Sequence, residues 1–310
     1  MGEWSKLVGE HGENIVQSLL EIIGWGNNQS NFDMPCIKPS KHTESSTARK
    51  SHGIDFLFSY KSDLEEKTVC HAIISSKFTA AKYPNNPSAK FKEHFNSLAM
   101  DIECFKQSNI RKENSRKFSA SREKCIGVLF WMSNEDDIDF NVVENLYATK
   151  NIDDIDYGTI HIVDNKRAAF IFKSIQRFKR DKKISSVKFL YPANGSNNSA
   201  ADRLTSGHVL PAEFLTSGII PFSLTTEAGD EILAISCSEQ VEEHTLTRII
   251  GLAQAIAYSF PQKIIISLLD FNKLKHKDIV EKAKSSFPDS EFIKKIIFNN
   301  LNDDFRGDEL

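Results

Sequence analysis

The sequence is poor in the residues that stabilise small secreted domains, with only five cysteines and nine prolines among 310 residues. The cysteines are scattered and form no Cys-x-x-Cys pair, which argues against a disulfide framework and against a zinc site. No run of about 18 apolar residues is present, and the first residues lack the apolar core of a secretion signal. We therefore expect a cytoplasmic protein that makes no membrane contact.

Several catalytic and cofactor motifs are also missing. The sequence contains no GxxxxGK[ST] loop, no GxGxxG turn and no GxSxG elbow, so we expect no nucleotide cofactor. His42, His52 and His71 lack the spacing of metal ligands. A serine–lysine hydrolase dyad at residues 75–77 is disfavoured, because such dyads usually use a helical spacing.

What the chain does contain is an alternation of helical and strand patterns. Residues 53–60 and 68–78 read as an antiparallel hairpin, and residues 125–133 lack polar alternation, which is typical of a central strand covered on both faces. The pattern predicts an α/β fold with a mixed β-sheet flanked by helices. The other predicted elements are helices over 3–23, 89–108 and 165–180 and strands over 31–37, 159–163 and 187–192, with a loop over 38–51.

The last third repeats this order of elements. After a Gly/Ser/Asn-rich linker at 193–207 come a second hairpin, a helix over about 240–258 and an apolar strand. Either this region is a degenerate duplicate of the first, or the two share only the general likeness of α/β units. The predicted domains are residues 1–192, with the linker at 193–207, and residues 208–310, which would serve assembly or DNA binding.

Positive charge is concentrated locally although the formal net charge is −3. Residues 106–124 hold seven Lys or Arg against two Glu and read as a flexible basic loop. The helix over 166–183 carries basic residues on a face away from its apolar stripe, which suits a DNA backbone or an ordinary solvated surface. The candidate DNA-binding residues are Arg116, Lys117, Lys166, Lys173, Arg177 and Arg180.

The first hairpin brings polar residues together. Asp55 begins one strand, and Lys77 ends its antiparallel partner beside Ser75. Because side chains alternate between faces, Asp55, Ser75 and Lys77 can converge on one spot, within reach of Glu13 on the preceding helix. Phosphodiester hydrolysis uses such groups, namely acids that hold a divalent metal and a cation that stabilises negative charge.

These residues carry a resemblance to a known family. The chain resembles the PD-(D/E)xK nuclease superfamily in the order of four elements. These are a helix with Glu13 that ends in Gly-Trp, a strand with Gly-Ile-Asp, a strand ending in x-x-Lys, and a long helix after it. The likeness is to its restriction-endonuclease-like branch, including Mrr-type and anti-phage defence nucleases, and covers residues 3–133. It implies a restriction-endonuclease-like fold with Asp55 as a ligand of Mg²⁺, for which Mn²⁺ may substitute. Lys77 would be the catalytic lysine and Glu13 a supporting acid and metal ligand.

One position departs from the family pattern. Ser75 stands where the second acid belongs, and some restriction enzymes with Ser-x-Lys take that acid from the following helix. Glu93 is then a candidate metal ligand, and His94 a weaker one. Three interpretations stay open: an active enzyme with a migrated acid, an active enzyme using Glu13 and Asp55 alone, and an inactive nuclease fold.

The resulting prediction is an Mg²⁺-dependent DNA endonuclease in restriction or anti-phage defence. We expect it to work with a partner subunit or as a homo-oligomer. The alternatives are an inactive nuclease-fold subunit that binds DNA or assembles a defence complex, and a ribonuclease on the same fold.

Overall fold

The structure, a computed structural model, describes residues 2–44, 47–146, 155–197, 203–257 and 261–302. The chain forms two compact units, Met1–Ala169 and Phe170–Leu310. None of the helices in the described ranges is both long and apolar enough to cross a bilayer.

The first unit alternates helices and strands as the sequence predicts. Its helices are α1 (Gly2–Ile22), α2 (Pro87–Gln107) and α3 (Asn109–Ser115), with a 3₁₀ turn at Val143–Leu146. Its strands are β1 (Gln29–Pro35), β2 (Thr43–Glu44), β3 (Thr47–Ala48), β4 (Ser51–Lys61), β5 (Thr68–Thr79), β6 (Arg122–Ser133) and β7 (Thr159–Val163).

Local sequence signals explain where these helices begin and end. Gly24, just after α1, adopts a φ of 84°, a left-handed conformation that glycine accepts without strain. Pro87 opens α2, where its fixed φ suits the first helical turn. Trp25 follows α1, is fully buried, and stacks on Phe58 of β4 with ring centroids 5.2 Å apart. This contact anchors the end of α1 against the sheet.

The main sheet of the first unit is mixed, with the order β1-β4-β5-β6-β7. Strand β4 pairs antiparallel with β1 and with β5, which confirms the predicted hairpin, and β6 pairs parallel with β5 and with β7. Strand β6 lies between two strands and is buried from Ile126 to Ser133, as its unbroken apolar pattern predicts. Contacts of α2 with β5 and β6, and of α1 with β5, place the helices on this sheet.

The second unit has a mixed sheet of its own, with the order β13-β12-β11-β10-β8-β9. Helix α4 (Asn165–Lys179) carries the boundary between the units. The remaining elements are β8 (Ile184–Leu190), β9 (Ser206–Gly207), a 3₁₀ turn (Ala212–Leu215), β10 (Ile219–Thr226), β11 (Glu231–Cys237), α5 (Glu243–Ile256), β12 (Lys263–Leu268), α6 (Lys277–Ser285), α7 (Ser290–Lys294) and β13 (Ile296–Asn300).

The second sheet repeats the strand directions of the first. Strand β10 pairs antiparallel with β8 and with β11, as β4 does with β1 and β5. Strand β12 pairs parallel with β11 and with β13, as β6 does with β5 and β7. Each series follows a helix, α1 or α4, and each places a helix after its hairpin, α2 or α5. The two units therefore share a topology, which is what a degenerate duplicate would show.

Three segments differ from their predicted structure. The strand expected at 187–192 in the N-terminal domain is β8, which pairs with β10 in the second sheet, so the second unit begins before the predicted linker. The predicted loop 38–51 contains the short β2–β3 pair. The predicted basic loop 106–124 instead holds α3 and the start of β6. Helix α3 begins after Ser108, whose side chain caps it by accepting a hydrogen bond from the Arg111 amide.

Candidate active site at the end of the first hairpin

The pairing of β4 with β5 brings together three of the predicted residues. Oδ2 of Asp55 accepts a hydrogen bond from the backbone amide of Ser76 at 2.7 Å and one from the Ser75 hydroxyl at 3.3 Å. Nζ of Lys77 lies 3.7 Å from the same oxygen. The Asp55 and Lys77 side chains are 23% and 32% exposed, so the pair is partly desolvated yet open to a ligand. The hydrogen bonds and the ion pair that Asp55 makes with described residues all involve Oδ2, which leaves Oδ1 available to a ligand.

Glu13 lies beside the same part of the sheet. Its Oε2 accepts a hydrogen bond from Nδ2 of Asn31 at 3.3 Å. Asn31 sits in β1 between the residues that pair with Phe56 and Ile54, and is therefore opposite Asp55. With a φ of 50°, Asn31 adopts the left-handed conformation that asparagine tolerates better than most residues. The structure thus brings Glu13 to the strand next to Asp55.

A close helix–strand contact sets the position of Glu13. A β-carbon added at Gly12 would lie only 2.3 Å from Cβ of Phe78, the residue after Lys77. The ring of His11 contacts the Phe78 ring edge-on at 5.4 Å. Because only glycine permits this approach, Gly12 holds α1 tightly against the end of β5.

Glu93 and His94, in the first half of α2, lie near Lys77, but the Glu93 carboxylate is bound by Lys90. The Glu93 carboxylate accepts hydrogen bonds from Lys90 at 2.8 and 3.0 Å, and these bonds, followed by smaller charge effects that include Lys77, lower the pKa of Glu93. Burial, followed by the charge of Lys77, lowers the pKa of His94 to about 4. Glu93 and His94 therefore lie within electrostatic reach of Lys77, with Glu93 engaged by Lys90.

Asp33 is a carboxylate that the sequence interpretation missed. Asp33 of β1 pairs with Gly53 of β4. Its Oδ1 lies 3.8 Å from the position that a β-carbon at residue 53 would occupy. Residues 53 and 55 share a face of β4, so Asp33 is a further acid beside Asp55. The signal that identifies it is the register between β1 and β4, which the local pattern of β1 does not give.

The second hairpin, all of which the structure describes, has no equivalent of this pair. Both hairpins open with Gly-Ile, at residues 53–54 and 218–219. In the second hairpin, Ile220 pairs with Ser236, as Asp55 lies opposite Ser75. The position that corresponds to Asp55 is thus apolar, and the one that corresponds to Lys77 is Ser238.

The predicted DNA-binding residues lie in or just after two helices, α3 and α4. In α4 the predicted apolar stripe is buried, and Lys166 lies 3.6 Å from Glu144, while Arg180 is exposed. Lys173 and Arg177 are partly exposed on the same helix. After α3, Arg116 is exposed and Lys117 donates to Asn114 at 2.8 Å.

Acidic side chains neutralise part of the basic segment around α3. Arg111 pairs with Glu123, and Lys124 pairs with Glu65 at 2.7 Å. Lys106 pairs with Asp156. The positive charge available there is therefore smaller than the composition of residues 106–124 indicates.

A second cluster lies in the same unit and was not predicted. Side chains of Cys36, His42, His52 and Cys104 place one potential ligand atom each within 4.8 Å of one another. The scattered cysteines and the spacing of the histidines had argued against a zinc site, but the end of β1, the loop after it, β4 and α2 converge there and bring these four side chains together. His71 is not part of it: its ring hydrogen bonds with Ser59 at 2.7 Å and Ser115 at 3.0 Å.

One comparison with known proteins, a scan against protein families, found a match. A family model described as the GAPS4 protein PD-(D/E)XK nuclease domain matches residues 1–167, more than half of the 310 residues. The match ends next to the end of the first compact unit at Ala169. Searches of curated proteins and of solved structures found no match.

The mixed sheet of the first unit, with Asp55 and Lys77 at the end of its hairpin, is consistent with a PD-(D/E)XK nuclease domain, and the family match assigns residues 1–167 to that class. The chain belongs to the GAPS4 family of anti-phage defence proteins.

Proposed function

We propose that this chain hydrolyses DNA phosphodiester bonds in a reaction that requires Mg²⁺. The observation that carries the proposal is the meeting of Asp55 and Lys77 at one partly exposed spot in a domain of the nuclease class. A carboxylate and an ammonium group 3.7 Å apart supply the two kinds of charge that phosphodiester hydrolysis needs.

The carboxylates around Asp55 fit a divalent metal ion. Mg²⁺ prefers oxygen ligands and is commonly bound by one or two carboxylates together with water and phosphate oxygens. Asp55 would hold the ion through Oδ1, and Asp33, Glu13 or Glu93 would supply the second acid in place of Ser75. A bound ion of this kind activates water and offsets negative charge on the phosphate.

Protein groups position and stabilise the rest of the site. The Ser75 hydroxyl and Ser76 amide orient the Asp55 carboxylate through Oδ2. Lys77, held near that oxygen, has further N–H donors that can face a scissile phosphate or a water molecule. Its charge counts for more in this partly desolvated position than on a fully exposed surface.

The remaining parts of the proposal concern DNA and partners. Lys166, Lys173 and Arg177 on α4, with Arg180 just after it, would contact phosphates in a manner independent of sequence. The second unit, which lacks counterparts of Asp55 and Lys77, would bind DNA or assemble the defence complex. A partner subunit or a second copy would then choose the target.

A cleavage assay tests this function. Supercoiled plasmid, linear duplex DNA and RNA of matched sequence are incubated with the full chain, with and without copurifying proteins, in Mg²⁺, Mn²⁺ or EDTA. We expect metal-dependent cleavage of DNA, and a loss of about 100-fold or more in Lys77→Ala and Asp55→Asn. Lys61→Ala, at the opposite end of β4, is the matched control and should cleave normally. Full activity in both site variants would refute the assignment.

A second candidate function rests on Ser75, which lacks the carboxylate of the usual motif. An inactive nuclease-fold subunit would bind DNA with a steep salt dependence and show no metal-dependent cleavage under any partner condition. Preferential cleavage of the RNA would instead identify a ribonuclease.

A further inference from the structure

We propose that Cys36, His42, His52 and Cys104 bind a structural Zn²⁺ ion. This Cys₂His₂ cluster is separate from the Asp55 site in its ligand chemistry, since it offers thiolate and imidazole groups in place of carboxylates. Such ligands favour zinc over magnesium. The proposal stands whether or not the chain is an active nuclease.

Four of the six distances between the ligand atoms are close to those of a tetrahedral site, and the other two, from Nε2 of His52 to the two sulfur atoms, are at most 4.8 Å. Sγ of Cys36 and Sγ of Cys104 each lie 3.4 Å from Nδ1 of His42, and Nε2 of His52 is 3.4 Å from the same nitrogen. The two sulfur atoms are 3.9 Å apart. Zinc bonds of about 2.3 Å to sulfur and about 2.0 Å to nitrogen give tetrahedral edges of roughly 3.8 Å (S–S), 3.6 Å (S–N) and 3.3 Å (N–N).

Hydrogen bonding does not account for this convergence. A ring nitrogen has one proton or one lone pair, yet three polar atoms approach Nδ1 of His42 at 3.4 Å. A disulfide between Cys36 and Cys104 would require a sulfur–sulfur distance near 2.05 Å. An ion at the centre satisfies all four atoms at once.

The outer partners of both rings have the arrangement of metal-bound histidines. Nε2 of His42 lies 2.8 Å from the Glu103 carboxylate, and Nδ1 of His52 lies 2.6 Å from Asp101. A proton on each of these outer nitrogens leaves the inner nitrogens as lone pairs that face each other. Carboxylates behind zinc-bound imidazoles commonly fix the tautomer and the ring in this way.

The surroundings balance the charge, and three of the four ligand side chains are buried while Cys36 is half-buried. The side chains of His42, His52 and Cys104 are at most 1% exposed. Lys38 pairs with Glu103 at 2.7 Å, and Arg49 lies 3.6 Å from Asp101. Each outer carboxylate thus has its own cation, and the two thiolates are left to neutralise the zinc.

Four protein ligands indicate a structural role, because a catalytic zinc keeps one position open. The ligands come from the residue after β1, the following loop, the start of β4 and the last turn of α2. Zinc would therefore fix the loop after β1 and join it to α2 and β4. His52 precedes Asp55 by three residues on β4, so the same ion would also steady the strand that carries the proposed catalytic aspartate.

Metal analysis of the full chain, purified without chelator, tests the proposal. We expect about one zinc per chain, retained in Asp55→Asn and in Cys125→Ser, a half-buried cysteine outside the cluster. The double variant Cys36→Ser/Cys104→Ser should lose it. Zinc retained by this variant, or a wild-type protein that carries no zinc and takes up none from added ZnCl₂, would overturn the proposal.

Two measurements on wild-type protein keep the test independent of variant folding. X-ray absorption should show two sulfur neighbours near about 2.3 Å and two nitrogen neighbours near about 2.0 Å. Cobalt-substituted protein should show thiolate-to-metal charge transfer and the visible bands of tetrahedral Co²⁺. An oxygen-only coordination shell in either experiment would contradict the assignment.

Discussion

Substituting Gly12 by alanine should loosen the contact between α1 and the end of β5. The new β-carbon would lie 2.3 Å from Cβ of Phe78, more than 1 Å inside ordinary van der Waals contact, and 2.9 Å from Cγ, the first atom of the Phe78 ring. Overpacking of this kind costs about 1–3 kcal/mol. It is partly offset by the helix propensity of alanine, which exceeds that of glycine by about 0.8–1 kcal/mol.

Gly9→Ala is the matched control for this substitution. Gly9 is in the same helix, is exposed and has nothing within 4 Å of its added β-carbon. It therefore gains the propensity without the clash, and the difference in unfolding free energy between the two variants isolates the overpacking cost of about 1–3 kcal/mol.

Tryptophan fluorescence during urea unfolding measures this difference in unfolding free energy for the first compact unit of the chain. All three tryptophans, at positions 4, 25 and 131, belong to the first unit, so their signal reports its unfolding. We expect Gly12→Ala to unfold at lower urea than Gly9→Ala and, because Glu13 moves with α1, to cleave DNA more slowly. Equal stability of the two variants would refute the close contact and the role given to Gly12.

Three further predictions concern the site and its pH dependence. Among Asp33→Asn, Glu13→Gln and Glu93→Gln, the variant that removes the second metal ligand should need more Mg²⁺ for half-maximal cleavage, and three unchanged Mg²⁺ titrations would show that none is a ligand. Ser75→Glu should lower the melting temperature in EDTA, through repulsion with Asp55, and regain it in Mg²⁺; a metal-independent melting temperature would contradict a metal site there. Burial, followed by the charge of Arg111, lowers the pKa of His71 to about 4, so a proton is taken up on unfolding between that value and the ordinary 6.5. The unfolding free energy should therefore fall by up to about 3 kcal/mol as pH drops from 6.5 to 4. Urea titrations of His71→Gln should show a weaker dependence of this free energy on pH. The same pH dependence in wild type and variant would exclude His71 as its cause.

Local patterns predicted much of the first unit and the contact between Asp55 and Lys77. The Asp55–Lys77 contact was accessible because a short antiparallel hairpin fixes which residues face each other. The apolar run at 125–133 likewise identified a strand between two others. In both cases, the signal lies within one element or between neighbours in the chain.

The remaining features depend on pairings between distant residues. Asp33 reaches the site through the register of β1 with β4, and Cys36 meets Cys104 across 68 positions. Spacing rules for zinc motifs describe ligands on neighbouring turns and strands, so they miss a cluster assembled from four separate elements. The strand at 184–190 has no local signal for which sheet it joins, and its pairing with β10 comes from tertiary structure.

The most direct test of the proposed function is the position of a bound metal ion in a crystal soaked with Mn²⁺. Anomalous scattering locates manganese without reference to the protein coordinates. The account predicts a peak bonded to Oδ1 of Asp55, with a second carboxylate from Asp33, Glu13 or Glu93 and with Lys77 beside it. A saturating soak that leaves Asp55 without metal, or a peak whose ligands do not include Asp55, would contradict it.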